Sequence, residues 1–266
     1  RLERGLGISL LHCTTCRLTL TEAGQALLEH AEAMVRSAGA AADAAARHLA
    51  RPTGRLRVTA SLTYGRHVLA PLLPDFHRRH PEVQVELLLV DRYVDLWEEG
   101  LDLAIRLTGA PSPALAGRPL HDCRFVLCAT PAFLRRHRVR KPDDLAAQPC
   151  LAFRTGTSQG GNTWRLRQDK QVAEVAVQGP VVVNSSDVVR ELILGGMGIG
   201  LLPDFVVAAD LSEGRLRPVL PAWQPDGAFG PQAWALCQPQ RGMPPKLRAM
   251  VDFLVERLGS SDPNVG

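Results

Sequence analysis

The 266-residue chain is expected to form an α/β fold with a mostly parallel sheet behind one long helix, and three features predict it. Beyond residue 54, short runs of Val, Leu and Ile alternate with helix-length segments, the order that parallel strands with helical crossovers require. Residues 21–49 contain no Pro and carry apolar side chains in steps of three and four. Between these regions stands Arg51-Pro52-Thr53-Gly54, which breaks the helix and serves as a linker. At about 100–200 residues per domain, the length fits one large or two medium domains.

The elements follow in order. Arg1–Arg4 read as the last turn of a helix stopped by Gly5 or Gly7. Ile8–Leu11 and Arg17–Leu20 flank His12-Cys13-Thr14-Thr15-Cys16 as the arms of a β-hairpin. Thr21 caps the long helix, with Glu22 in its first turn. Its stripe runs through Ala23, Leu27, Ala31, Met34, Ala38, Ala41, Ala45 and Leu49. Such a helix spans roughly 40 Å and reads as a pairing helix, with an ordinary amphipathic packing helix as the alternative. Strands are expected at Leu56–Ala60, Val83–Leu89, Asp102–Arg106 and Phe125–Ala129, with helices at Arg66–Arg79, Val94–Glu99 and from Thr130 to His137. A second α/β unit takes strands at Cys150–Phe153, Val172–Gln178, Val181–Val183 and Ile199–Leu202, with a helix at Ser185–Leu194. A strand at Gln232–Gln238 and a helix from Pro244 to Leu258 close the fold, and residues 259–266 read as a loose tail.

Composition excludes several classes. With 45% apolar and 22% charged residues, the chain is neither collagen-like nor disordered. A net charge of +4 does not by itself identify a nucleic-acid binder. Arg outnumbers Lys 28 to three, which suits bidentate contacts to phosphate and carboxylate but is equally the mark of a GC-rich genome. Six cysteines are too few for a disulfide scaffold. No apolar run reaches the ~18 residues of a membrane span, and the start lacks a signal-peptide core, so a cytoplasmic setting is expected.

The motifs that can carry chemistry are few. Cys13-x-x-Cys16 lies in a hairpin turn without the second ligand pair a zinc site needs, so no metal is expected there. Cys123, Cys128, Cys150 and Cys237 sit in or beside apolar strands and read as core thiols. Gly195–Gly200 follows a helix and precedes a strand, the reverse of a phosphate-binding loop. Asp91 with Asp95, and Glu98 with Glu99, read as solvated positions rather than catalytic pairs. No catalytic residue and no cofactor is expected, and the chain is not read as an enzyme.

Several ordered stretches together resemble the LysR-type transcriptional regulators. Arg1-Leu2-Glu3 with Leu6-Gly7 is similar to the end of the family's recognition helix, and Leu11–Cys16 to its wing. Leu18-Thr19-Leu20-Thr21-Glu22-Ala23-Gly24 is the most specific stretch and marks the start of the linker helix. Gly54–Val58, Leu69–Pro74, His80–Val83, Glu99–Arg106, Gly196–Pro203 and Pro244-Pro245-Lys246 continue the match through the chain.

The resemblance implies an architecture. Residues 1–20 would be the remnant of a winged helix-turn-helix and residues 21–51 the linker and dimerisation helix. Residues 55–258 would be an effector domain similar to the type 2 periplasmic binding proteins. Its lobe I would hold residues 55–128 and 235–258, its lobe II residues 129–234, with crossing strands near Cys128 and Ala235 as a hinge. A homodimer would form through the 21–49 helix, and dimers would form tetramers. The missing first helices imply a chain truncated at its N-terminus. The wing holds Cys13 and Cys16 where the family has Arg, which removes phosphate contacts. DNA binding is therefore expected of the full-length parent and not of this chain, with Arg4, His12, Thr14, Thr15 and Arg17 as the remnant contacts. The basic surplus agrees: residues 1–57 hold eight Arg against five acids.

Ligands of open α/β sheets bind at the C-terminal ends of strands, beside helix N-termini. That places a small effector, with anionic molecules foremost, at Ser61, Leu62, Thr63 and Tyr64 after the first strand and at Arg106 after the third. Thr130, Phe153, Asn184, Ser185, Pro203 and Asp204 would face it from lobe II. Simple capping by Ser61 or Thr63, and a structurally paired Arg106, are the alternatives. Two other functions compete: a solute-binding protein without a DNA role, and a Cys-based redox or metal sensor.

Overall fold

The computed structural model describes residues 2–14, 17–46, 51–92, 94–153, 163–227, 229–240 and 242–259. The chain divides into two compact units, residues 1–51 with 240–245, and residues 52–239 with 246–266.

In the first unit, α1 (Leu2–Leu6) ends at Gly7, whose φ of +71° is open to glycine at no steric cost. The hairpin forms as expected from β1 (Leu11–Thr14) and β2 (Arg17–Leu20), paired antiparallel. Glu3 ties helix to hairpin, accepting from the Leu10 and Leu11 N–H groups at 2.7 and 3.1 Å, and these donors hold its carboxyl below the usual range. The long helix, α2 (Glu22–Ala46), has Thr21 at its head, whose Oγ1 accepts from Gly24 N–H at 2.9 Å.

The second unit begins with β3 (Gly54–Ala60), whose buried Leu56, Val58 and Ala60 alternate along the strand. It leads into a continuous helical segment: α3 (Leu62–Tyr64), a π-helical turn at Gly65–Leu69, and α4 (Ala70–Arg79). This segment starts four residues earlier than the apolar spacing predicts. Gly65 lets the segment lie close against the Leu89 side chain, which a Cβ there would approach to 2.2 Å. Next come β4 (Val83–Leu89), β5 (Leu103–Leu107), β6 (Ala116–Asp122) and β7 (Phe125–Ala129). The helix expected at Val94–Glu99 is instead a turn, because the Asp95 carboxylate takes the Trp97 and Glu98 N–H groups.

The chain continues through α5 (Pro131–Arg136), a 3₁₀ turn at Pro142–Ala147, β8 (Cys150–Phe153), β9 (Thr163–Gln168), β10 (Gln171–Ala176) and β11 (Val182–Val183). Then follow α6 (Ser186–Leu194), β12 (Ile199–Pro203), α7 (Asp204–Ser212), β13 (Arg217–Pro218), β14 (Gln224–Pro225), β15 (Gln232–Cys237) and α8 (Pro245–Leu258). The Gly195–Gly200 run is the helix-to-strand turn its position predicts, with Gly196 at a φ of +77°.

Two five-stranded sheets organise this unit, in the orders β4-β3-β5-β15-β6 and β11-β8-β12-β7-β13. In the first, β3 runs parallel to β4 and β5 while β15 is antiparallel to β5 and β6. In the second, β8 runs parallel to β11 and β12 while β7 is antiparallel to β12 and β13. We call the layers around these sheets lobe I and lobe II. One core of lobe II packs Val189, Ile193, Val206 and Val207 of α6 and α7 on Cys128, Leu151 and Leu202. Another packs the opposite face with Phe125, Leu127, Phe133, Trp164 and Leu166.

Strand pairing moves the expected crossings. Phe125–Cys128, assigned by the resemblance to lobe I, pairs with β12 in lobe II; Gln232–Trp234, assigned to lobe II, pairs with β5 and β6 in lobe I. The physical reason is register: Phe125, Leu127 and Ala129 are all buried against lobe II. The chain crosses at residues 123–124 and again just before β15, where Cys123 N–H donates to Pro231 O at 2.7 Å. Among the described residues, no helix is long and apolar enough to cross a membrane.

Candidate functional site

The chain leaves β3 at Ala60, and Ser61 caps the next helix, its Oγ accepting from Tyr64 N–H at 3.4 Å. Leu62 N–H donates to Asp91 Oδ1 at 3.1 Å. The helix end predicted to receive an effector's carboxylate is thus met by one of the chain's own. One turn on, the helix reaches lobe II. His67 Nε2 lies 2.7 Å from Asp187 Oδ1, Thr63 Oγ1 donates to Asp187 Oδ2 at 3.5 Å, and Arg66 Nη1 stands 3.7 Å from Oδ1. Asp187 sits in the first turn of α6, where the helix dipole favours an anion.

Tyr64 is 1% exposed and forms the aromatic part of this junction. Its ring meets Phe205 of lobe II edge-on at 5.6 Å, and Phe205 also lies 6.5 Å from the His67 ring. The Tyr64 hydroxyl is 2.9 Å from His121 Nε2. His121 Nδ1 is 2.8 Å from Asp122 O, a carbonyl that only accepts, so in the neutral imidazole Nε2 accepts from the tyrosine. Burial, with the nearby Cys123, pushes the Tyr64 phenol well above its ordinary value, which keeps it a neutral donor.

The other expected residues are placed as follows. Ser185 caps α6, accepting from Val188 N–H at 3.5 Å, two positions from Asp187; Asn184 before it is exposed. Pro203 is buried and precedes α7, and Asp204 Oδ1 accepts from Phe205 N–H at 2.8 Å, beside the ring that meets Tyr64. Thr63 and Tyr64 therefore reach Asp187 and Phe205 directly, while Ser185 and Asp204 stand beside those two residues along the chain and cap their own helices. Three others have contacts elsewhere. Arg106 donates to Val90 O at 3.4 Å and Thr59 Oγ1 at 3.3 Å, both within lobe I. Thr130 caps α5 by accepting from Phe133 N–H at 3.2 Å. Phe153 packs edge-on against Phe229, 5.0 Å away.

His67, Asp187, Phe205 and His121 also belong to the junction, beyond the residues expected from the sequence. The first two left a readable trace: His67 is one helical turn beyond Thr63, and Asp187 is in the first turn after the Ser185 cap. The last two left none, because their roles come from contacts across separate elements. A gap lined by Val58, Leu69, Leu72, Val85, Leu87 and Phe253 encloses about 10 Å³ under α4 and α8. That is room for one water, a packing gap rather than a ligand cavity.

Of the remnant DNA contacts, Arg4 lies on α1, His12 and Thr14 on β1 and Arg17 on β2, while Thr15 lies outside the described residues, as does Cys16. Cys123, Cys128, Cys150 and Cys237 are free and buried. Burial pushes the first three thiols up to about 12. They are neutral, poor nucleophiles at physiological pH. Among the described residues no three His, Cys, Asp or Glu side chains gather as metal ligands.

Two lobes joined by paired crossings, with helix starts meeting between them, define a two-lobed binding domain. Residues 49–259 match the family model of the LysR substrate binding domain. The chain belongs to the LysR-type transcriptional regulators. It is 35% identical over 269 residues to the probable HTH-type transcriptional regulator LtrA of Klebsiella pneumoniae, covering 99% of this chain and 86% of that protein. It is 33% identical to the regulator DmlR of Escherichia coli K12, covering 99% and 84%. Its fold is similar to the solved LysR-type regulator CrgA of Neisseria meningitidis, with a TM-score of 0.70, 33% identity, and coverage of 97% of this chain and 87% of that one.

Proposed function

We propose that residues 55–258 bind a small-molecule effector between lobes I and II, and that residues 1–51 pass the signal on. The helix at 21–49 would join two copies as a homodimer, dimers would form tetramers, and the full-length protein would carry them on DNA. The protein would work in the cytoplasm by binding, without catalysis. One observation carries this reading: the start of the Leu62–Arg79 helical segment meets the starts of α6 and α7 across the lobes, through Thr63, His67, Asp187, Tyr64 and Phe205. An effector preferring a different opening of the lobes would shift their arrangement by its difference in affinity for the two states.

Ser61, Leu62, Thr63 and Tyr64 would form one wall, and Asn184, Ser185, Pro203 and Asp204 the other. Arg106, Thr130 and Phe153 would contribute at the margins. A thermal-shift screen of small acids, amines and neutral compounds tests this. Compounds that raise the native chain's Tm should lose their effect in Thr63→Val and in the Ser61→Ala, Arg106→Ala double variant. Unchanged shifts in both would place binding elsewhere.

A further inference from the structure

We infer that Asp187 is a built-in stand-in for the effector: a lobe II carboxylate that latches the cleft by occupying the donors an effector carboxylate would take. This rests on the proposed effector cleft. Two of these groups hydrogen-bond Asp187, Thr63 Oγ1 at 3.5 Å and His67 Nε2 at 2.7 Å, and the exposed Arg66 guanidinium stands 3.7 Å away as an ion pair; all three come from one helical segment of lobe I. Asp187 and His67 are only 19% and 22% exposed, so this contact is shielded more than a surface pair.

The neighbouring groups leave Asp187 little other employment. Asp91 already takes the Leu62 N–H at the same helix end. Asp204 is turned to the Phe205 N–H of its own helix. Arg190, the one cation on α6, is bound to Asp210 and Glu191. Arg66 and His67 lie in the π-helical turn, where Ala70 N–H reaches back to Gly65 O. Such widened turns re-aim side chains and recur at functional sites. A carboxylate ligand entering here must displace Asp187, and in doing so it breaks the polar contacts that this helical segment makes with lobe II. Binding and opening thereby become one event.

The test compares the native chain with Asp187→Asn and Asp187→Ala, each verified as folded by circular dichroism. The probes are succinate and benzoate by titration calorimetry, with benzamide as the neutral control. Hydrogen exchange at Leu62–Leu69 and Ser186–Leu194 reads the latch without ligand. Removing a like charge beside the seat should tighten carboxylate binding about tenfold and leave benzamide unchanged. The same substitutions should speed exchange in both segments. Unchanged or weaker carboxylate binding in both variants overturns the inference, and the cleft reading survives if screened compounds still bind the native chain. If no compound of any charge binds native or variant protein, the cleft reading fails and the inference falls with it.

Discussion

Asp210, with no exposed surface, receives two hydrogen bonds from Arg190: Nε at 2.6 Å to Oδ2 and Nη2 at 2.8 Å to Oδ1. Arg215 Nη2 adds a third contact at 2.8 Å. The pair joins α6 to α7, the two helices whose starts face lobe I. Hydrogen bonding to Asp210 raises the Arg190 guanidinium above its ordinary value, so the cation is permanent. Asp210→Ala should cost up to about 3–5 kcal/mol, because it takes the buried partner from a part-buried arginine and leaves it only the exposed Glu191. Arg215→Ala, removing a half-exposed partner, should cost about 1 kcal/mol or less. Urea denaturation followed by circular dichroism separates the two, and equal losses would refute the ranking.

Gly200 lies in β12 beneath α6. A Cβ there would stand 2.4 Å from Ile193 and 2.9 Å from Val189, both fully buried. Gly200→Ala should therefore destabilise lobe II by about 1–3 kcal/mol through overpacking. Shortening the neighbour in an Ile193→Val, Gly200→Ala double variant should recover part of that loss. A strictly additive double variant would show that the close approach is not what the glycine serves.

Cys123, Cys128 and Cys150 have thiols raised to about 12 by burial, so the folded chain holds these protons more tightly than the unfolded one. Their contribution is complete below the unfolded thiol value of about 8.5 and is lost as pH rises toward about 12. The urea midpoint should fall steadily from pH 9 upward. A Cys128→Ala, Cys150→Ala variant should show a shallower fall. In peptide mapping at pH 8, iodoacetamide should label these three positions only after unfolding.

Met34 on α2 is 73% exposed, as is the adjacent Val35, in a helix whose apolar stripe predicts pairing. Met34→Asp would bury a charge in the proposed dimer seam. Light scattering should show a dimer for the native chain and a shift to monomer for the variant at equal concentration. Glu29→Gln, on the same helix, should leave the oligomer unchanged. A native monomer, or a dimer indifferent to Met34→Asp, would remove α2 as the subunit contact.

Much of the fold is local and was readable. The stripe of α2, the stop at Gly7, the caps at Ser61, Thr130 and Ser185, and the buried runs of β3, β8 and β12 depend on neighbours within a few positions. Spacing and residue type specify them directly. Thr63, Tyr64, Ser185 and Asp204 were legible for the same reason, as strand ends followed by helix starts. The strands at Ala116–Asp122 and Thr163–Gln168 were not. The first has mostly exposed residues and is held as a strand by its pairing with β15. The second alternates exposed and buried residues and takes its place from β10 and β14.

The order of elements and the strand ends where a ligand is expected are legible in local spacing, and the ordered motifs carry the family resemblance. It takes the closed fold to put Phe125–Ala129 in lobe II and to tie Arg106 to Val90 and Thr59 within lobe I. The closed fold also decides that Asp187, a capping-turn residue by its sequence, reaches Thr63 and His67 some 120 positions away. Which partner a charged side chain finds depends on how the two sheets close on each other, and no local pattern carries that information.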